Sequence, residues 1–353
     1  MSSIDDIREI KDFKQISFSG FKKQDVVKEL NYAFDNCLIE SAIYWCGELV
    51  CSGNFKFLWE NIISYMSVSI NILNPKLPIF MQNRFNVFKT IINSGYLDRE
   101  LHLRNHNTIR QLFSEICLVL CCSKKKQINY SIKLNKEIAY DLIKNSNKLN
   151  APNIEYIKPY FEVDDSKDLF VACNEFAYNL SKDSNNVSEA IYWIEWILNY
   201  CAIKKKIICN YRGFPSVLDK YKKNFIWIIW EIILDHSTCD QLTSKIIHSL
   251  LDIFCIHYSE GTNRKRKKLI YFAISIIIDK YNSQTPLIDK KKEKEQLNIS
   301  KYNNKVYSQI KKMEHSSKTS YLFNNANTAN NFEKSISKLN AIKKIPDIFR
   351  TGD

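Results

Sequence analysis

Two histidines and two nearby cysteines are the residues of this sequence whose spacing could bind a metal ion. His102 and His106 lie four residues apart, so on a helix they would share one face, and Cys117 or Cys121 could complete a zinc site. The segment around the histidines, DRELHLRNHN, is polar and predicts a loop. We therefore interpret both histidines as solvated or helix-capping residues and predict no metal site.

No other set of side chains has the spacing of a catalytic centre. The motifs GxxxxGK[ST], GxGxxG and HExxH are absent, and no Ser, Cys and His pattern pairs a nucleophile with a base. Asp164-Asp165 is typical of loop or helix-terminal charge. His248 and His257 fall in an apolar helical pattern, which predicts core or rim positions. The sequence predicts no reaction, cofactor or small-molecule ligand, which favours a non-enzymatic protein.

Positive charge is the strongest chemical signal of the sequence. Its 353 residues include 51 Lys and Arg against 38 Asp and Glu, a net charge of +13, which attracts nucleic acid, anionic lipid or acidic proteins. Part of the Lys excess could instead reflect an AT-rich genome, because Lys codons are rich in A. The candidate nucleic-acid contacts are Lys124, Lys125, Lys126, Lys204, Lys205, Lys206, Arg264, Lys265, Arg266, Lys267 and Lys268. Since Lys is a point charge and lacks the fork that reads bases, we expect such binding to be independent of sequence.

The eleven cysteines indicate a reducing compartment. Their number is odd, they have no regular spacing, and several lie among apolar residues. Such cysteines usually behave as small, reduced, buried side chains. The charged N-terminal residues MSSIDDIREIKDF lack the apolar segment of a signal peptide. We therefore expect a reducing intracellular compartment, cytosolic or nuclear.

Glycine content and hydrophobic periodicity predict an all-α fold. Glycine makes up about 2% of the residues, against a usual share of about 7%. Apolar residues recur at the i, i+3, i+4, i+7 spacing of helices in many segments, including 39–51, 77–93, 135–146, 187–201 and 216–235. The longest apolar runs, 225–234 and 269–278, have half the length of a membrane-spanning helix and predict core helices.

An internal repeat predicts two related helical bundles or an irregular α-solenoid. The tetrapeptide Ala-Ile-Tyr-Trp occurs at 42–45 and again at 190–193, and each copy lies in a similar order of predicted helices. A chance identity in a biased composition is the alternative. We predict a polar leader over 1–16, a first unit over 17–148, a second unit over 149–282 and a low-complexity basic tail over 283–353.

The tail contains one segment with the pattern of a short amphipathic helix. Phe332, Ile336, Leu339 and Ile342 would lie on one helical face, directly before Pro346. Such a face suits docking into a groove on this protein or on a partner. Part of 287–315 predicts an exposed helix. The rest of the tail is Asn-rich, and we expect it to bury too little apolar surface to fold by itself.

Two resemblances to known families add expectations about the setting. The segment SFSGFKK, followed by a Tyr-Trp-x-x-Glu-Leu helix, a Gly and a Trp-Glu helix before Asn-Pro-Lys, resembles an uncharacterised family of nucleocytoplasmic large DNA viruses. Over residues 38–75 the sequence is also similar to the helical collar of RarA-type AAA+ ATPases and clamp loaders. The chain lacks their Walker motifs, so the second resemblance implies an assembly role beside replication machinery and no ATP hydrolysis.

The sequence patterns predict a non-enzymatic helical scaffold that binds protein partners and, through its basic clusters, nucleic acid. The resemblance to the viral family implies that it belongs to a large DNA virus. The resemblance also implies the host cytoplasm, a virus factory or the nucleus as its location, with packaging in a virion as a further setting. A clamp-loader-collar-like replication accessory that binds DNA is one alternative. A minor structural component of the virion is another. An enzyme with a site assembled from scattered residues is the third class.

Overall fold

The computed structural model describes residues 3–97, 99–126, 130, 132, 146–204, 207–214, 216–238, 240–289 and 292–316. Within these ranges the secondary structure is helical and no strand occurs, apart from one isolated bridge between Ile16 and Lys22. The predicted all-α fold class is therefore confirmed. None of the helices in these ranges combines the length and apolar character needed to cross a bilayer.

The first group of helices follows the predicted pattern closely. It consists of α1 (Lys23–Asp35), α2 (Ile39–Cys51), α3 (Phe55–Tyr65), α4 (Leu77–Asn93) and α5 (Asn107–Cys122). The central pair is α2 and α5, since α1 packs against both of them and α4 packs against α5. Gly53, with φ +68°, lies directly after the end of α2, where a left-handed residue ends a helix best.

The second group has the same order of long helices. It consists of α6 (Phe170–Leu180), α7 (Val187–Ile203), α8 (Ile226–His236), α9 (Gln241–Cys255), the short α10 (Thr262–Lys265) and α11 (Lys267–Ile278). The predicted helix over 216–235 begins ten residues late, at Ile226. The residues before it form a loop that is held in place by a buried ion pair.

That ion pair joins Asp165 to Arg212. The Arg212 guanidinium donates to both carboxylate oxygens of Asp165, over 2.9 and 2.7 Å, and to Glu231 over 2.8 Å. A fourth donor bond reaches the carbonyl oxygen of Tyr160. Asp164 and Asp165 both lie in the loop before the turn at Lys167, where they were predicted, and Asp165 is 4% exposed whereas Asp164 is exposed.

The two copies of the Ala-Ile-Tyr-Trp repeat lie on α2 and α7, the second long helix of each group. In both copies the Tyr and Trp rings meet edge to face, with centroids 5.1 Å apart at Tyr44–Trp45 and 5.3 Å apart at Tyr192–Trp193. Their surroundings differ, because Trp45 is only partly buried whereas Trp193 is fully buried. The repeat therefore has the same place in the helix order of both groups, while the two indoles differ in burial.

The groups meet mainly through equivalent helices. The fourth long helices, α4 and α9, pack against each other. Gln82 on α4 donates a hydrogen bond to Asp252 on α9 and accepts one from Ser249 on the same helix. The turns that follow α3, over 66–73, contact α11.

A twelfth helix differs from the sequence expectation. Helix α12 (Glu293–Lys311) lies in the segment predicted as a polar tail, yet it packs against α2 and α5 of the first group. Val306, Tyr307 and Ile310 are buried there. The apolar side chains of α12 are few and spaced four residues or fewer apart, so one narrow stripe suffices to dock an otherwise polar helix.

The SFSGF segment is held by a buried carboxylate on α2. Glu48 accepts hydrogen bonds from the Ser17 hydroxyl over 2.7 Å, the Ser19 hydroxyl over 2.5 Å and the Ser19 backbone N–H over 2.8 Å. Gly20, with φ +87°, turns the chain beside them. Burial raises the pKa of Glu48, although these donors act in the opposite direction.

Candidate functional site

A groove between the two helical groups is the candidate site. Residues of α3 and α4 line one side, and the end of α9, residues 216–218 and Arg266 line the other. Its volume of about 610 Å³ lies within the range of about 300–1,000 Å³ that is usual for ligand sites. The groove exists because α4 and α9 pack closely along only part of the boundary between the groups.

Aromatic rings form the apolar wall of the groove. Trp59 meets Phe85 edge to face, with centroids 5.2 Å apart, and Phe88 at 5.7 Å. Trp59 is 4% exposed, and its buried indole N–H has no hydrogen-bond partner among the residues that the structure describes.

Two exposed apolar side chains stand at the edges of the groove. Leu97 follows α4 and is 64% exposed, and Leu218 precedes α8 and is 65% exposed. Both line the groove although they belong to different helical groups. Large apolar side chains that are exposed beside a concave surface mark a typical contact site for another molecule.

The rim of the groove is positively charged. Lys56 and Lys89 are exposed, and neither forms an ion pair with any residue that the structure describes. His257, which follows α9 in the left-handed conformation with φ +45°, lies beside them. Partial desolvation, together with the charges of Lys56 and Arg266, lowers the pKa of His257.

Arg266 closes one end of the groove and joins the groups. Its guanidinium forms an ion pair with Glu60 on α3 at 2.5 Å. It also donates to the carbonyl oxygens of Ile253, Phe254 and Ile256, over 3.1, 2.9 and 2.6 Å. These carbonyls belong to the last turn of α9, where a cation is favourable. Arg266 is therefore a structural residue.

The structure reduces the number of residues in the basic cluster 264–268 that could contact nucleic acid. Arg266 is 4% exposed and cannot reach a phosphate. Lys267 forms an ion pair with Glu195, and Lys268 is partly buried with its ammonium over the Tyr271 ring. Only Arg264 and Lys265 of this cluster are exposed.

The other two basic clusters are also only partly exposed to solvent. Lys124 and Lys126 are exposed, whereas the ammonium of Lys125 donates to the carbonyl oxygen of Cys121 at the end of α5. Lys204 is exposed, and its predicted partners Lys205 and Lys206 lie outside the described residues.

Of the remaining predicted residues that the structure describes, only His257 lines the groove. His102 and His106 line a separate polar depression at the start of α5. Within the described ranges no three side chains are arranged to hold a metal ion. His248 is exposed on α9, and His257 is the exception, since it lies on the groove rim. The predicted docking residues Phe332, Ile336, Leu339 and Ile342 lie outside the described residues.

Sequence reasoning missed the groove, although one signal for it was present. Phe55 and Trp59 share a face of α3, and Phe85 and Phe88 recur three residues apart on α4. Two aromatic stripes on neighbouring helices predict that those helices face each other or a shared partner. The second side of the groove comes from residues about 150 positions later, which no local pattern connects to the first.

We compared the chain with known proteins, and no family model, curated protein or solved structure matches it.

Proposed function

We propose that this protein is a non-enzymatic helical scaffold that binds a protein partner in the groove between its two helical groups. The observation that carries the proposal is the combination, in one concave surface, of an apolar aromatic wall and two unpaired lysines on the rim. An interaction surface of this kind needs a rigid frame, which the packing of α4 on α9 supplies.

The partner that fits is an acidic amphipathic helix or extended peptide. Its apolar side chains would contact Phe85, Leu97 and Leu218, and its carboxylates would lie near Lys56 and Lys89. Glu60, Glu100 and Asp252 also line the groove, and of these Glu60 and Asp252 are engaged by Arg266 and Gln82. The two exposed lysines of the rim favour an acidic partner as the complementary one.

The resemblance to a family of large DNA viruses sets the expected context. A scaffold with such a groove would serve in the replication factory, where a clamp-loader-collar-like accessory would also bind DNA, or as a minor component of the virion shell. Nucleic-acid binding depends on the exposed members of the basic clusters, which are Lys124, Lys126, Lys204, Arg264 and Lys265.

Fluorescence anisotropy with the full chain and defined probes tests the proposal. The main probe is a fluorescein-labelled 16-residue helical peptide with Leu at one face and Glu at the other positions. We expect binding that weakens about tenfold in the double variant Lys56→Glu/Lys89→Glu, because two rim attractions become repulsions. Leu218→Ser, at an exposed position, should also weaken binding.

Two matched controls make the result specific. Lys245→Glu/Lys301→Glu changes the same total charge at exposed positions outside the groove and should leave binding unchanged. A peptide with Lys in place of Glu should bind more weakly than the acidic one. The proposal is overturned if the acidic peptide does not bind, if the control variant weakens it equally, or if a labelled oligonucleotide binds in its place and depends on Lys56 and Lys89.

A further inference from the structure

A thiol–lysine cluster lies where three parts of the first helical group meet. Cys37 occupies the joint between α1 and α2, is partly exposed and has the left-handed φ of +57°. Cys122 is the last residue of α5, its thiol neighbours that of Cys37, and burial raises the pKa of the Cys122 thiol to about 11. Lys292 directly precedes α12. Residues far apart in the sequence thus bring two thiols and an ammonium together.

The contact between Lys292 and Cys37 is short and polar. The Lys292 ammonium lies 3.0 Å from the Cys37 sulfur and donates to it. This hydrogen bond, against the opposing effect of desolvation, raises the pKa of Lys292, so the ammonium keeps its charge. Lys125 is a second cation near the same thiols. A neighbouring cation stabilises a thiolate, which is the reactive form of cysteine.

The other described cysteines differ from Cys37 in exposure or in surroundings. Eight of the ten are buried, and burial raises the pKa of the thiols of Cys51, Cys117 and Cys173. Cys201 is the other partly exposed one. Desolvation raises its pKa, followed by the effect of Cys209, and among the described residues no lysine is hydrogen-bonded to its sulfur. Cys201 is therefore a matched internal control of similar exposure.

We propose that Cys37 and Cys122 form a peroxide-reactive dithiol, in which Cys37, whose sulfur accepts a hydrogen bond from the Lys292 ammonium, is the attacking residue and Cys122 is the resolving thiol. The substrate class is hydrogen peroxide or a small alkyl hydroperoxide. This site is independent of the groove between the helical groups, which lies on α3, α4 and α9.

The reaction balances with one peroxide per pair of thiols. The Cys37 thiolate attacks one peroxide oxygen, the O–O bond breaks, and a sulfenic acid forms while the released hydroxide takes a proton and leaves as water. The Cys122 sulfur then loses its proton and attacks the Cys37 sulfur; the S–S bond forms, the S–O bond breaks and a second water leaves. Two electrons pass from the thiols to the peroxide.

Alkylation rates test the first step. The folded full chain is treated with iodoacetamide at pH 7 for increasing times, and each cysteine is quantified by peptide mass spectrometry. We expect Cys37 to react at least about tenfold faster than Cys201, because the Lys292 ammonium lies 3.0 Å from the Cys37 sulfur. Lys292→Gln should slow Cys37 severalfold, while Lys301→Gln, at an exposed position on α12, should have no effect.

Peroxide treatment tests the second step. After stoichiometric hydrogen peroxide and quenching with N-ethylmaleimide, we expect a Cys37–Cys122 disulfide that dithiothreitol reverses. In Cys122→Ser, Cys37 should instead be trapped as a sulfenic acid that dimedone labels. A circular-dichroism spectrum identical to that of the wild type shows that the variant is folded.

Three results would overturn the assignment. One is a Cys37 alkylation rate equal to that of Cys201 in the folded wild type. Another is an alkylation rate that does not change in Lys292→Gln. The third is oxidation that links Cys37 to a thiol other than Cys122 or leaves both thiols reduced.

Discussion

At the scale of single residues, the buried ion pair between Asp165 and Arg212 organises the second helical group. Asp165 fixes the loop before α8 because it accepts both Arg212 guanidinium bonds and the backbone N–H of Asn210. Desolvation raises the pKa of Asp165, but Arg212 and the backbone donors outweigh it and lower the pKa. The carboxylate is thus held in its charged form.

Asp165→Asn should destabilise the protein by about 3 kcal/mol at pH 7, because removing one partner of a buried pair strands the other charge. Asp164→Asn, the exposed neighbour, should change stability by less than about 0.5 kcal/mol. Urea unfolding followed by circular dichroism measures both. Equal effects of the two substitutions would contradict the structural role of Asp165.

The ion pair between Asp165 and Arg212 also predicts how the stability of the protein depends on pH. The pKa of Asp165 in the folded protein lies below its ordinary value of 3.8. The contribution of the ion pair to the free energy of unfolding is therefore present above about pH 4 and is lost as the pH falls through the folded pKa. The stability difference between wild type and Asp165→Asn should therefore shrink below about pH 4.

Residue roles of this kind could be predicted only in part. Asp165 and Glu48 have no neighbours in sequence that reveal their burial, since their partners Arg212 and Ser17 lie 47 and 31 positions away. By contrast, Gly53 could be placed at the end of α2, because that conformation depends on local backbone geometry.

At the scale of elements, the docking of α12 depends on a glycine. An added Cβ at Gly47 on α2 would lie 2.8 Å from the Ile310 Cδ1, while its next neighbours would be at ordinary contact distance. Gly47 therefore allows α12 to approach α2 closely, although glycine inside a helix costs about 1 kcal/mol relative to alanine.

A double-mutant cycle tests this interpretation. Gly47→Ala alone should be neutral or destabilising, because overpacking of about 1–3 kcal/mol opposes the gain in helix propensity. Ile310→Val removes the Cδ1 atom, so in that background Gly47→Ala should stabilise by about 1 kcal/mol. Thermal unfolding of the four proteins measures the coupling. Additive effects would show that Ile310 does not press on α2 at Gly47.

Helix positions were the most predictable feature of the sequence. The helix α4 matches its predicted bounds, because a strong apolar period and Pro78 mark its start and Ser94-Gly95 marks its end. The start of α8 and the docking of α12 were missed for one reason: both depend on distant partners, which are Arg212 for the loop and Gly47 for the helix.

At the scale of the whole molecule, Arg266 couples the two helical groups. It binds three carbonyls at the end of α9 and reaches across the boundary to Glu60 on α3. The side chain of Glu60 is 33% exposed, so solvent weakens the ion pair itself. The greater part of the stabilisation then comes from the carbonyl contacts, which all involve Nη1, while Nε and Nη2 of the same planar fork donate to Glu60.

Arg266→Lys should destabilise the protein by about 2 kcal/mol, since a single ammonium cannot satisfy all of these acceptors. Glu60→Gln should cost less than about 1 kcal/mol. Arg264→Lys, at an exposed position in the same cluster, is the matched control and should be neutral. Chemical denaturation measures the loss of stability in each variant. A larger loss for Glu60→Gln than for Arg266→Lys would contradict this prediction.

Because α12 packs against the first helical group, that group cannot be completed until late in the synthesis of the chain. The Ile7 N–H donates to the carbonyl oxygen of His315, so both ends of the described chain lie side by side. The surfaces of α2 and α5 that receive α12 stay uncovered while the ribosome adds the roughly 190 residues from the end of α5 to the end of α12. At about 5–20 residues per second, that delay lasts about 10–40 s. The helical group that is translated first is thus completed last, and the surfaces of α2 and α5 that receive α12 must be shielded in the nascent polypeptide until then.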